Sequence, residues 1–183
     1  MSHSIFCYQS KIGRPLKEEA LFLVKNQLEI LGNCEKNVAM QHKIVSAISE
    51  IHPGMVVVPF NHAVLALVQE LSPEEAAYLY DHIDMYSPEG ETPVQLSVLH
   101  HLVTITIESW PLKKSDQFFI YLGKFIKAIR ETAGYFVYDP QLDVAFDPSQ
   151  DNYRRLMHYI AEEEHIHQGI IREKHAKPWY KFW

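Results

Sequence analysis

The sequence predicts an α+β fold, a mainly antiparallel sheet with helices packed on one face and a long C-terminal helix. Three observations carry that prediction. Val103, Ile105 and Ile107 alternate with Thr104, Thr106 and Glu108, the period of a strand with one side on a core and the other toward water. From Ser115 the period lengthens to that of a helix, with Phe118, Leu122, Phe125 and Ile129 on one stripe and Phe119 and Ile126 widening it. Gly134 then supplies a helix stop, and Tyr135-Phe136-Val137-Tyr138 followed by alternating Leu142, Val144 and Phe146 reads as two further strands. Strand, strand, helix, strand, strand in that order sets helices against an antiparallel sheet.

The remaining elements follow along the chain. Ser4 to Tyr8 reads as a first strand, ended by Gly13-Arg14-Pro15. Pro15 suits the first helical position, and Leu16, Ala20, Leu23, Val24, Leu28 and Leu31 give a helical stripe up to Gly32-Asn33. Val38, Ile44, Val45, Ile48 and Ile51 mark a second helix that Pro53-Gly54 breaks. Met55 to Pro59 is a short apolar run whose β-branching favours an extended segment, and a short helix is expected over about 62–70. Ser72-Pro73-Glu74-Glu75 is a capping box, Ser at N-cap and Glu at N3. It opens a helix carrying Ala76, Leu79, Tyr80 and Ile83, which Ser87-Pro88-Glu89-Gly90 ends.

Val94, Leu96 and Val98 form the strand that pairs with 103–108 as a hairpin. The connection runs through His100-His101, which lacks the Asn-Gly or Gly-X chemistry of two-residue turns. Pro111 closes the second strand. After Asp147-Pro148, Ser149 caps the long final helix, striped by Tyr153, Leu156, Ile160, His167, Ile170 and Ile171. The tail 177–183 sets four aromatic side chains within Trp179 to Trp183 and is expected to dock on its own domain, because a free tail of that kind is an exposed apolar patch.

At 183 residues the chain fits one domain, 1–183, with the aromatic tail 177–183 as its end. An apolar fraction of 47% argues against disorder. There is no apolar run of bilayer-spanning length, and Met-Ser-His-Ser-Ile-Phe lacks the parts of a signal peptide, so a cytoplasmic home is expected. Cys7 and Cys34 agree with that, reading as two inert, partly buried thiols.

The net charge of −6 is unevenly spread. Between Lys43 and Lys113 there is no lysine or arginine, whereas Glu50, Glu70, Glu74, Glu75, Asp81, Asp84, Glu89, Glu91 and Glu108 give nine acids. Such a one-signed segment repels nucleic-acid phosphates and speeds encounter with a basic partner. The plainer reading is a solvated acidic surface that serves solubility.

Chemistry-bearing motifs are few. His158, Glu162 and His165 stand at i, i+4 and i+7 of the final helix and so share a face, where imidazole and carboxylate suit Zn²⁺. The pattern is neither His-Glu-x-x-His nor paired Glu-x-x-His, so a solvated helix face is the stronger reading and no cofactor is expected. No serine or cysteine stands in a Gly-x-Ser-x-Gly setting, and the seven glycines form no phosphate loop. Asp139-Pro140-Gln141 reads as a turn, with Asp capping and Pro fixing φ.

The run Val-Thr-Ile-Thr-Ile-Glu-Ser-Trp-Pro, an amphipathic helix, and then Gly-Tyr-Phe-Val-Tyr-Asp-Pro-Gln resembles small α+β proteins of the bacterial cytoplasm. Among these are immunity proteins of polymorphic and contact-delivered toxin systems. The likeness covers about 93–147, with a looser echo in the first strand and the Arg-Pro-Leu-Lys-Glu-Glu-Ala helix. It implies a non-enzymatic binding protein whose acidic surface occludes a basic toxin. Contact residues are expected around the 74–91 helix and turn: Glu74, Glu75, Asp81, Asp84, Glu89 and Glu91. Two alternatives stand beside it, a metal-binding protein or metal-dependent enzyme using His158, Glu162 and His165, and a structural subunit hooked into a larger assembly, as a homo-oligomer or otherwise, by its tail.

Overall fold

The computed structural model describes residues 2–26, 37–59, 66–67, 70–72, 76, 82–108, 117–141 and 143–149. Its elements in chain order are β1 (His3–Tyr8), α1 (Lys17–Lys25), α2 (Val38–Ile51), β2 (Val56–Pro59), β3 (Ile83–Tyr86), β4 (Val94–Val98), β5 (Leu102–Ile107), α3 (Gln117–Ala133), β6 (Phe136–Asp139) and β7 (Val144–Phe146). The strands form one sheet in the order β2-β3-β4-β5-β1-β6-β7, and each neighbouring pair is antiparallel. β2 through β5 is a meander, β6 and β7 are a hairpin, and the N-terminal strand is inserted between them.

Side-chain alternation sorts the sheet into two faces. Ile5, Cys7, Val103, Ile105, Ile107, Leu96 and Met85 point to one side, where Ile44 and Ile48 of α2 and Leu122, Phe125, Ile126 and Ile129 of α3 close a core. Burying each such aliphatic side chain is worth about 1.5–3 kcal/mol. α2 is capped as its sequence invites, the Asn37 side chain accepting the Met40 N–H at 3.1 Å. α3 ends at Gly134, whose φ of +72° and N–H bond to Arg130 O at 2.9 Å match the expected left-handed stop.

The expectation that all helices share one face needs correction. Ala20 and Leu23 of α1 pack with Tyr8, Leu102, Phe136 and Tyr138, which alternate with the first set and so point to the opposite face. β1 and β6 carry large apolar side chains on both sides, and α1 covers the second side at one end of the sheet. The residue at its N-cap is Leu16, which offers no side-chain bond. Tyr8 Oη takes the capping role there, accepting the Leu16 N–H at 2.8 Å, and Glu19 accepts from Ser10 Oγ and from the Lys11 N–H. Lys17 at the start of α1 is paired with Asp143 beside β7.

The helix expected to run through Ile83 also needs correction, since Ile83 to Tyr86 is a strand. Four residues are enough because β3 is bonded on both sides, to β2 and to β4. Upstream, Ala66, Leu67 and Ala76 are helical, and Ser72 O accepts the Ala76 N–H at 2.9 Å, as an N-cap residue's carbonyl does. Residues 73–75 and 77–81, the stretch after Ser149 expected to form a long final helix, and the tail 177–183 lie outside the described residues.

The β4–β5 hairpin turns through His100-His101, and Leu99 N–H bonds Leu102 O at 2.8 Å. Among the described non-glycine residues only Glu70 and Asp143 have positive φ, so this turn is neither type I′ nor II′. Tertiary bonds hold it instead. Asn37 N–H donates to His100 Nδ1 at 3.1 Å, Gln41 Nε2 to Val98 O at 3.1 Å, Tyr135 Oη to His100 O at 2.9 Å and Gln9 N–H to His101 O at 3.1 Å.

Candidate functional site: a half-sheet without cations

Strand order turns the charge pattern of the sequence into a surface. β2, β3, β4 and β5 all lie between Lys43 and Lys113, so four adjacent strands contain no lysine or arginine. On the face away from α2 and α3 this half presents Asp84, Gln95, Ser97, Thr104 and Thr106, each half-buried, with Val56, Val58 and Tyr86 exposed at its margin.

Among the described residues, Asp84 is the one expected contact residue that stands on this face. Its Oδ1 accepts from Ser97 Oγ at 2.6 Å, and Oδ2 lies 3.4 Å from His82 Nε2 and accepts from Tyr86 Oη at 3.4 Å. Burial pushes its carboxyl up, and bonds from His82, Ser97 and Gln95 outweigh that, holding it below the ordinary carboxylate range. The carboxylate is therefore ionised and fixed. The order is not that of a nucleophile triad, because the serine hydroxyl donates to the carboxylate and not to the imidazole.

Glu89 and Glu91 sit in the β3–β4 connection, at the end of the sheet where the Glu108 N–H bonds Pro93 O at 3.1 Å. Glu89 and Glu108 are exposed. Glu91 has a structural partner that sequence reasoning missed: its Oε2 lies 2.9 Å from His52 Nε2. His52 Nδ1 accepts the Gly54 N–H at 3.2 Å, so the ring carries its proton on Nε2 and donates it to Glu91. The imidazole also lies 4.4 Å from the Tyr121 ring centroid. Both nitrogens being occupied, this pair ties the acidic connection to the end of α2 and is not a general base. The signal was a histidine between a helix end and Pro53-Gly54, with nothing local to pair it.

Glu74, Glu75 and Asp81 lie outside the described residues, as do His158, Glu162 and His165. Among the described residues no three His, Cys, Asp or Glu side chains are grouped to hold a metal ion. Cys7 is buried and burial pushes its thiol up to about 12, so it stays protonated and unreactive; Cys34 lies outside the described residues. No family model, curated protein or solved structure matches the chain. Among the described residues no helix is long and apolar enough to cross a membrane.

A second buried pair was also missed. His3 Nε2 lies 2.8 Å from Asp139 Oδ2, while Asp139 Oδ1 accepts the Gln141 N–H at 2.9 Å. The second bond is the turn cap expected of Asp139-Pro140-Gln141. The first joins residues 136 positions apart, which no local pattern announces.

Proposed function

We propose that the chain is a non-enzymatic binding protein that neutralises a basic toxin by masking it, in the manner of bacterial immunity proteins. The observation that carries the reading is the cation-free half of the sheet, where Asp84 is held ionised and Glu89 and Glu108 are exposed at one end. A basic partner approaching this half meets no like charge from the strands, and electrostatic attraction raises the encounter rate. On this face Ser97 donates to Asp84 and His82 lies beside the same carboxylate, so both polar groups support a fixed negative charge. The metal-binding and assembly-subunit alternatives rest on 150–183, outside the described residues.

The test has two steps. The tagged chain is used to capture partners from lysate of its own host at low and high salt, and the captured protein is then expressed alone and with the chain. One basic protein, recovered in near-stoichiometric amount and less at high salt, should arrest growth alone and not when co-expressed. Growth arrest that co-expression does not relieve, or no specific recovery at either salt, removes the proposal.

A further inference from the structure

The exposed edge of the sheet carries a bonding pattern that narrows what can dock there. Ser87 N–H bonds Val94 O at 3.0 Å, and the register pairs Tyr86 with Gln95 and Met85 with Leu96, so Ser87 and Val94 are directly opposite and hydrogen-bonded. Bonded pairs alternate along an antiparallel ladder. Met85 and Ile83 therefore turn their peptide groups to β4, while Asp84 and Tyr86 turn theirs to β2. Their partners there are Val58 and Val56.

It follows that Val57 and Pro59 direct their backbone groups away from β3, into the open edge. Val57 offers one N–H and one C=O, and Pro59 offers a C=O alone. One step back, Met55 points the same way, and its N–H is already bonded to His52 O at 3.1 Å. Among the described residues the edge thus presents three acceptors and a single donor. Around it Val56, Val57 and Val58 are 52%, 42% and 43% exposed, an apolar run on an edge that carries no lysine and that only Pro59 blunts.

A second copy of this chain is a poor occupant. Antiparallel self-pairing centred on Val57 sets Pro59 against Met55 of the other copy, where neither supplies a free N–H, leaving two hydrogen bonds across the whole contact. It also brings together two half-sheets whose strands carry Asp84 and no lysine or arginine, with Glu89, Glu91 and Glu108 in the flanking connections.

We infer that the β2 edge is the docking site of a protein partner that adds an extended segment bearing apolar and basic side chains. Such a strand donates its N–H groups to the Met55, Val57 and Pro59 carbonyls, accepts from the Val57 N–H, packs apolar side chains beside Val56 to Val58 and brings cations to a half-sheet whose four strands have none. This deepens the binding role proposed above and rests on it for the partner's identity as a toxin.

The experiment uses the full ¹⁵N-labelled chain and two blocked hexapeptides, Lys-Val-Lys-Val-Lys-Val and Glu-Val-Glu-Val-Glu-Val, titrated by NMR. The lysine peptide should bind at least tenfold more tightly than the glutamate peptide and shift amides of 55–58. Val57→Pro removes the outward donor without touching a ladder bond and should weaken binding at least tenfold. Should that variant lose its fold, Val57→Lys keeps the N–H and should reverse the preference between the peptides. Equal binding of the two peptides, shifts confined to other strands, or unchanged affinity in both variants overturns the inference. A concentration-dependent dimer in sedimentation that Val57→Pro abolishes overturns it in favour of a second copy. Peptide binding at β2 together with failure to relieve the captured protein's toxicity would leave the edge standing and remove the toxin reading.

Discussion

Replacing Asp147 by alanine should destabilise the fold by about 2–3 kcal/mol, through the clasp that joins the end of α3 to the end of β7. Arg130 Nε and Nη2 reach Asp147 Oδ1 and Oδ2 at 2.9 and 2.8 Å, a two-pronged charge-assisted pair. The carboxylate also accepts Ser149 N–H at 2.9 Å and Ser149 Oγ at 2.7 Å. Side-chain exposure is 23% for Arg130 and 10% for Asp147, which decides the size of the effect. A fully buried pair costs about 3–5 kcal/mol when one partner goes. Here water reaches the orphaned guanidinium, which also keeps its bond to Gly134 O and its place 4.4 Å over the Phe136 ring. The loss therefore falls below that range.

For a chain of this length about 2–3 kcal/mol lowers Tm by about 5–10 °C, readable by thermal unfolding in circular dichroism. Arg130→Lys keeps the charge and loses the fork, and should give about half the loss. A double-mutant cycle of Asp147→Ala with Arg130→Ala should return about 1.5–2 kcal/mol of coupling. If Asp147→Ala moves Tm by less than about 2 °C, or Arg130→Lys matches wild type, the clasp is not a stabilising contact and the reasoning fails.

Gly54→Ala should cost about 1–2 kcal/mol, because the added Cβ would stand 3.1 Å from a carbon of the His52 ring that Glu91 and Tyr121 hold in place; a urea midpoint equal to wild type would show that the ring yields freely. Acid should weaken the fold in two windows. The His101 imidazole is 8% exposed and lies below its ordinary 6.5 through burial first, then His100 and Lys11. Below 6.5 the unfolded chain binds the proton more readily, so stability present above that value is lost as pH falls toward the folded value, at up to about 1.4 kcal/mol per pH unit. His101→Gln should flatten urea midpoints between pH 7.5 and 5, and an unchanged slope would assign it to other groups. The second window opens below the ordinary 3.8 of Asp84 and Asp147, both lowered in the fold, where their stabilisation is lost as each takes up a proton.

Where local period and tertiary demand agreed, the fold was readable: β4, β5 and α3 each carry one clean period and one apolar face, and Gly134 takes the positive φ that ends α3. The extended reading of Met55 to Pro59 held because β-branching favours a pleated chain. β3 was not readable, since Ile83 completes a helical spacing with Ala76, Leu79 and Tyr80 and only pairing on both sides makes it a strand. β1 held an overlooked signal. Ile5 and Cys7 alternate with Phe6 and Tyr8 and both sets are apolar, the mark of a strand covered on two faces, which is where α1 goes. Of the acids, Asp84 was expected on a helix and turn and stands on β3 instead. The struts His3–Asp139 and His52–Glu91 join residues 136 and 39 positions apart, and long-range pairs of that kind leave no spacing to find.

A one-signed half-sheet that serves a partner does so at the expense of the free protein, and salt separates the two effects. Repulsion among exposed acids such as Glu89 and Glu108 is felt over the Debye length, about 30 Å at 0.01 M and about 3 Å at 1 M. Screening should therefore stabilise the free chain, by a few °C in Tm between about 0.01 and 0.5 M KCl. It acts against this at Lys17–Asp143, an exposed pair, and only weakly at Arg130–Asp147, which is sheltered. Glu89→Lys with Glu108→Lys should raise Tm at low salt and shrink its salt dependence, while slowing association with a basic partner. Were Tm to fall as salt rises, the ion pairs would outweigh the repulsion among the exposed acids, and the half-sheet would carry no stored repulsion for a partner to relieve.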